Sequence, residues 1–364
     1  MIKRILRFLK SLKVEVYETR GKSRFTGNSI SVLFATKPKS LHYLGNHFFE
    51  PGHVTRLVTK CWLWRISHVS RTIDPAPTLL LLEMGVGNKK LNLLGDDFLK
   101  LCFWVRGEID LPLDQQVVKK KDYKEQLRRI RKAGFEVELA RDITQLENFY
   151  NNMYLPLVLG SHGESANPMS KQSFIENYEK LDLLLIKSQG QAVAGELVAY
   201  EKTIPELRAL GVKDRDPNHL KSGVIGACYH FGLQHLLKKG YTKVDLGPTR
   251  GLFSDGVLKY KRKWGMRAAE PTTSFLLIKI VNWSQEVNAL LGNMSGIYEI
   301  ESRMVSLVFS ENTELNPIAD DPTFIEYNFY PGTEALYVFP LKEQIEFSKS
   351  GLSRLRLIQA DSFN

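Results

Sequence analysis

The chain has 364 residues, 43% of them hydrophobic and 25% charged, and its 50 Lys and Arg outnumber its 40 Asp and Glu. That length exceeds one ordinary core and predicts two domains; the composition excludes disordered and collagen-like classes, and no apolar run approaches the roughly 20 residues of a bilayer-spanning helix. The net charge of +10 fits either a well-solvated surface or an anionic partner, meaning a phosphorylated cofactor, tRNA or an anionic membrane.

Three cysteines, Cys61, Cys102 and Cys228, stand in apolar surroundings without pairing or metal-ligand spacing. They predict a reducing compartment, and neither a disulfide framework nor a metal site is expected. No apolar h-region follows the basic N-terminus, so no secretory signal is expected. The predicted location is cytoplasmic, with the inner face of the membrane as a peripheral alternative.

From the start of the chain, Met1 to Lys13 projects Ile2, Ile5, Leu6, Leu9 and Leu12 on one helical face and Lys3, Arg4, Arg7 and Lys10 on the other. Such a helix either lies in an anionic membrane surface or packs on its own domain with solvated lysines. Val14 to Tyr17 and Ile30 to Phe34 read as strands, and Thr55 to Arg71 fits either element type. Thr78 to Met84 reads as a buried strand ending in the turn Gly85 to Asn88, with a further apolar segment from Phe98 to Val105. Residues 113 to 124 form a connector into a helix, Tyr123 to Ala133, stopped by Gly134. Its cations, Lys124, Arg128, Arg129, Arg131 and Lys132, form either a solvated face or a guide for a polyanion such as tRNA. Aromatic interleaving is sparse, so sequence-specific DNA binding is not expected.

Phe135 to Ala140 alternates as a strand, and Thr144-x-x-Glu147 has the form of a capping box opening a helix. A polar loop, Gly160 to Pro168, contains His162 and Glu164, and Ser170 caps the next helix. Asp182 to Lys187 and Ala192 to Tyr200 make a hairpin about Gln189-Gly190, with Glu206 to Val212 as a third strand. From Ser222 the chain reads as a helix capped by Ser222 and stopped by Gly240, a strand from Tyr241 to Leu246 ended by Gly247-Pro248, and a basic segment. That last segment sets Arg250, Lys259, Lys261, Arg262, Lys263 and Arg267 against the single acid Asp255. Beyond Pro271, Phe275 to Val281 reads as a strand and Trp283 to Leu291 as an amphipathic helix. Thr323 to Phe329 and Ala335 to Phe339 read as short strands.

The run Val244-Asp245-Leu246-Gly247, followed by Asp255-Gly256-Val257-Leu258-Lys259-Tyr260-Lys261-Arg262-Lys263-Trp264-Gly265, resembles the end of the catalytic domain in Fem-type members of the GNAT acyltransferase superfamily. With Arg128 to Gly134 and Phe135 to Pro156 the likeness extends over roughly residues 120 to 275. It implies a mixed α/β, GNAT-like fold with two such domains in tandem. The divisions expected are 1–118 (a reduced N-terminal domain with the basic helix), 119–275 (the catalytic domain) and 276–364 (an extension on the sheet). The order strand, helix, helix, three strands, helix, strand agrees with such a domain.

The resemblance implies acyl transfer from a thioester to an amine, which needs anchored donor phosphates, a polarised carbonyl and removal of an ammonium proton. For anchorage the candidates are Lys221, Ser222, Gly223, Gly226 and Arg250, with helix amides and two glycines at a helix start. The spacing of Gly223 and Gly226 departs from the usual coenzyme A signature, so the alternative is that these glycines only permit close helix packing. Glu196 is the candidate base on a central strand. Asp245 either orients Lys259 or Arg262 or completes a buried ion pair, and Tyr229 either donates to the leaving thiolate or belongs to the core. His162, Glu164, Asp255, Lys259 and Arg262 are the candidate acceptor contacts. The leading expectation is an N-acyltransferase using acyl-CoA, with acetyl-CoA as default, and a small-molecule amine or cell-envelope precursor as acceptor. The alternatives are an aminoacyl-tRNA-dependent transferase and a non-catalytic GNAT-like scaffold on a membrane surface or partner.

Overall fold

The computed structural model of the protein describes residues 12–85, 94, 98–140, 142–271, 274–311, 321–341 and 356–360. Most of the N-terminal amphipathic pattern, and the turn residues Val86 to Asn88, lie outside these. The chain forms two compact units: Met1–Val105 with Arg250–Leu258 and Glu270–Asn364, and Arg106–Thr249 with Lys259–Ala269.

The first unit opens with β1 (Lys13–Lys22), which pairs antiparallel with β2 (Ser29–Ala35) and β3 (Val54–Trp62), the latter two joined by α1 (Pro38–Phe48). Helix α2 (Ile66–Arg71) leads to β4 (Leu79–Gly85), parallel to β2, and β5 (Leu99–Cys102) follows. The chain then builds the second unit. It begins with β6 (Trp104–Asp110), α3 (Gln115–Lys119), α4 (Lys121–Ala133) and β7 (Glu136–Leu139). Next come α5 (Ile143–Phe149), a π turn at Tyr150–Tyr154, α6 (Leu155–His162) and α7 (Lys171–Glu176). β8 (Leu181–Ser188), β9 (Gln191–Ala199) and β10 (Glu206–Val212) form an antiparallel run. Then follow α8 (Pro217–Ser222), α9 (Val224–Lys238), β11 (Lys243–Arg250), α10 (Gly256–Lys263) and β12 (Arg267–Pro271). The chain returns to the first unit through β13 (Ser274–Ile280), α11 (Gln285–Gly292), β14 (Gly296–Ile300) and β15 (Arg303–Ser310). It ends in α12 (Pro322–Asn328), β16 (Ala335–Pro340) and β17 (Arg356–Ala360).

The first unit's sheet has ten strands in the order β17-β16-β15-β14-β5-β13-β4-β2-β1-β3. Its central strands are apolar runs because both faces are covered: Leu79 to Leu82 and Leu276 to Ile278 are all buried. One face packs on α1 and α11 through Leu44, Phe48, Val287 and Leu290. The second unit's sheet has seven strands, β12-β6-β11-β10-β9-β8-β7. Phe149, Tyr150, Met153, Tyr154 and Phe174 fill one of its faces against Leu183, Leu197 and Ala209. From β7 to β11 the order is strand, helices, three strands, helices, strand, the order expected from the sequence.

Three local readings are corrected. Asp142, and not Thr144, caps α5: its Oδ1 accepts from the Gln145 amide at 2.9 Å and from the Thr144 hydroxyl at 2.5 Å, while Glu147 pairs with Lys171. The loop from Gly160 begins later than read, because α6 continues to His162. Most of the stretch read as a strand from Thr323 to Phe329 is helical, within Pro322–Asn328, started by Asp321, which accepts from the Thr323 amide at 2.8 Å, and by Pro322 in the first turn.

Candidate active site

The second unit's sheet opens between two neighbouring strands. β10 pairs along its length with β9, interrupted by a bulge at Arg208 between Leu207 and Ala209. To β11, its parallel neighbour, it is joined by the single register pair Glu206 and Asp245, with the Asp245 amide donating to Pro205 O at 2.8 Å. Beyond that pair the strands part, and Leu210 is left half-buried.

The parting is written into β11. Gly247 adopts φ +71°, a left-handed conformation that only glycine takes without strain, and its amide donates to Asp245 Oδ1 at 2.8 Å. Pro248 has no amide to offer. The carbonyls of Leu246, Gly247 and Pro248 accept from one ammonium, Lys261 Nζ, at 2.7, 3.2 and 3.3 Å. Successive carbonyls of a flat strand point to opposite edges, so the kink at Gly247 is what turns all three toward one cation. Lys261 is 5% exposed and reaches this crown from α10. Sequence reading counted Lys261 in a cationic cluster without seeing that it is buried. Its spacing from the buried Leu258 and Trp264, three residues on either side, was the signal.

Glu196 lies on β9 opposite Leu210, four residues along β10 from the pair where the parting begins. It is 2% exposed and lies under α9, its Cγ 3.5 Å from where a side chain on Gly232 would begin. Its Oε2 has no hydrogen-bond partner, and burial pushes its pKa well above the usual carboxylate range, against the pull of Lys261. Burial therefore favours the protonated carboxyl, and it is sealed from solvent. Asp245, 3% exposed, pairs with Arg106 and with Lys202 at 3.6 Å, which is the buried-ion-pair alternative with partners the sequence did not suggest. Tyr229 stacks on Trp264 at 5.7 Å and meets Tyr260 edge-on at 5.6 Å. It is a core aromatic, and burial raises its hydroxyl's pKa.

At the start of α9 the cap differs from expectation. Ser222 ends α8, its hydroxyl donating to His219 O at 2.7 Å, and Gly223, at φ +92°, turns the chain into α9. A side chain on Gly223 would begin 3.2 Å from Arg129 Cβ, and one on Gly226 would begin 2.8 Å from Gln126 Oε1 and 3.3 Å from the Tyr260 hydroxyl. These glycines let α9 pack on α4 and α10. Lys221 is exposed beside them.

The remaining candidates are divided between the two units. In the first unit, Arg250 is surrounded by Tyr43, Phe103 and Trp104, with ring centroids 4.6, 3.9 and 3.8 Å from its guanidinium carbon, and burial lowers its pKa to about 10. Asp255 caps α10, accepting from the Val257 and Leu258 amides at 2.9 Å each. In the second unit, Lys259 is exposed and Arg262 half-buried on α10, His162 ends α6, and Glu164 is exposed just after it. A further cluster escaped sequence reading: Asp182 Oδ2 lies 2.7 Å from each of the Tyr200 hydroxyl, His235 Nε2 and Lys239 Nζ. These donors hold its pKa below the usual carboxylate range, the His235 hydrogen bond foremost. Among the described residues no group of His, Cys, Asp or Glu gathers to hold a metal ion, and no helix is long and apolar enough to cross a membrane.

No family model and no curated protein matches the chain. Among solved structures it is similar to L-PGS from Bacillus licheniformis (13% identity, 75% of this chain and 87% of that one, TM-score 0.35). It is similar also to FemX (10% identity, 72% and 83%, TM-score 0.36) and to a GNAT family acetyltransferase from Elizabethkingia anophelis with acetyl-CoA bound (17% identity, 40% and 98%, TM-score 0.29). At such scores the chemistry rests on this chain's own side chains and strand register.

Proposed function

We propose that the protein is a GNAT/Fem-type N-acyltransferase, moving an acyl group from an activated donor to an amine. The observation that carries this reading is the parting of β10 from β11 after one register pair. A parted pair exposes backbone donors and acceptors on β10, and an extended, amide-bearing arm such as that of acyl-CoA can pair there as an added strand. Acetyl-CoA is the default donor. Its phosphates would lie near Lys221 and Arg129, at the α8–α9 turn, since the packing of Gly226 leaves that glycine no ligand-facing surface.

Glu196 and Asp245 then act as positioning residues, one buried and sealed, the other committed to Arg106 and to the Gly247 amide. Tyr229 serves the core. Positioning of donor and amine supplies much of the rate in such a transfer. Donor binding is tested by thermal melting with acetyl-CoA and with free coenzyme A: at about 100 times Kd the midpoint should rise by about 5 °C.

A second reading, an aminoacyl-tRNA donor, is favoured by a concavity of ≈ 500 Å³ lined by Lys119, Lys121, Lys124 and Arg128 with Asp122 and Glu125. The acids there are engaged: Asp122 by Lys263, Glu125 by Arg128 and Arg129. No melting response to coenzyme A, together with salt-sensitive retention on tRNA, would decide for this donor.

A further inference from the structure

Strand β3 ends one side of the ten-stranded sheet, and its outer edge has no strand beside it among the described residues. Residues 54 to 73 contain Arg56, Lys60, Arg65 and Arg71 and no Asp or Glu. Pairing with β1 places Leu57, Lys60 and Trp62 on the face that carries Lys13, Glu15 and Tyr17. Trp62 stacks on Trp64, rings 5.0 Å apart and 9° from parallel, and the Lys13 ammonium sits 4.9 Å from the Trp62 centroid. Trp64 is 50% exposed and Leu57 47%. Arg65, His68 and Arg71, which follow Trp64 in sequence, are exposed, while Lys60 is paired with Glu15 at 2.6 Å. The described chain begins beside this face. It does so at Leu12, whose carbonyl accepts from the Leu63 amide at 2.8 Å.

We infer that this face docks the protein on an anionic lipid surface. Stacked indoles present an apolar body and N–H groups, the combination that settles at the headgroup boundary of a bilayer. Lys60 and Arg56 are taken up by Glu15 and Glu18, so the charge that matches lipid phosphates comes from Lys13 over Trp62 and from the exposed Arg65 and Arg71 that follow Trp64 in sequence. Stacking on each other closes one face of each ring, which disfavours nucleobases, because those bind by stacking on open rings. The inference goes beyond the proposed transfer reaction and stands without it.

The test uses the full chain and vesicles of phosphatidylcholine alone or mixed with phosphatidylserine. Flotation with the mixed vesicles, and quenching of tryptophan emission by brominated lipid, are expected, both weakening as salt is raised. Trp64→Ala and the double change Trp62→Ala/Trp64→Ala should weaken vesicle partitioning, the double by about tenfold, with unchanged thermal melting showing that the fold is kept. Phosphatidylglycerol in place of phosphatidylserine should act equally; a strict headgroup requirement would mean a lipid substrate and overturn surface docking. The inference also fails if flotation survives both tryptophan changes but is lost on removing residues 1–11. It fails too if that removal makes the tryptophans newly open to iodide without vesicles, since the N-terminal segment would then be their cover.

Discussion

One ammonium serving three carbonyls makes Lys261 a structural cation whose loss leaves polar groups stranded in a dry place. Glu196, its buried neighbour, behaves in the opposite sense. Because burial raises the folded pKa of Glu196, the folded protein keeps that proton where the unfolded chain has released it. Stability contributed by this proton is present below the unfolded pKa of about 4.3 and is lost as pH rises toward the folded value, at up to about 1.4 kcal/mol per pH unit. Glu196→Gln removes the titration. The variant should match the parent near about pH 4 and gain on it by about 1–2 kcal/mol near about pH 6, read from urea unfolding at both. Parallel profiles for the two proteins would show that the carboxyl is not held neutral. Both residues were visible in the sequence, Glu196 as a carboxylate on a central strand and Lys261 as one cation among six. Their burial was not, because it depends on α9 and α10 closing over the sheet from distant parts of the chain. Asp245 was legible as an ion-pair candidate, yet Arg106 lies 139 positions away in sequence and no local pattern links them.

At the scale of elements, the local signals that the chain obeys are those carried by side-chain chemistry next in sequence. The hairpin about Gln189-Gly190, the strand Glu206 to Val212 and the Gly240 stop after α9 all follow the reading. The helix at Pro322–Asn328 was missed because Phe324, Ile325, Tyr327 and Phe329 suggested a strand, while Asp321-Pro322 was the start signal that overrides such a pattern. The strands β14 and β15 carry no such mark and are set by pairing with each other. A close approach between elements is similarly silent in sequence. β10 runs so near the π turn that a side chain on Gly211 would begin 2.5 Å from the Met153 carbonyl carbon and the Tyr154 nitrogen. Backbone cannot yield as a side chain can, so Gly211→Ala should destabilise by about 2–3 kcal/mol, seen as a lower urea midpoint at unchanged slope. A neutral outcome would mean that β10 and the π turn stand further apart than described. Since β10 also borders the parting, the same variant should respond less to any donor that stabilises the parent.

For the whole molecule, the consequential fact is that the first unit is discontinuous in sequence. Its central strand β13 comes from residues 274–280 and pairs with β4 on one side and β5 on the other, both from the first 105 residues. Periodicity predicted these strands but not their partners, since a buried run such as Phe275 to Ile280 pairs as readily with one apolar strand as with another. The partner is chosen by the whole fold. Residues 1–105 alone would lack the strand that joins β4 to β5, leaving Leu80 to Leu82 and Leu99 to Cys102 without their ladder. Unpaired apolar edges of this kind aggregate. By contrast, residues 106–269 contain every segment of the second unit, with 250–258 as a passenger, and keep all seven strands from most of β6 through β12. The prediction is that the 106–269 fragment, expressed alone, unfolds in one cooperative thermal transition with near-ultraviolet circular dichroism, whereas the 1–105 fragment is insoluble or unstructured. Adding residues 270–364 to the latter through a flexible linker should restore solubility, because β13 then returns between its two neighbours. A cooperatively folded 1–105 fragment would show instead that β4 and β5 do not depend on β13, and the ten-stranded order would have to be a late assembly of independently stable parts.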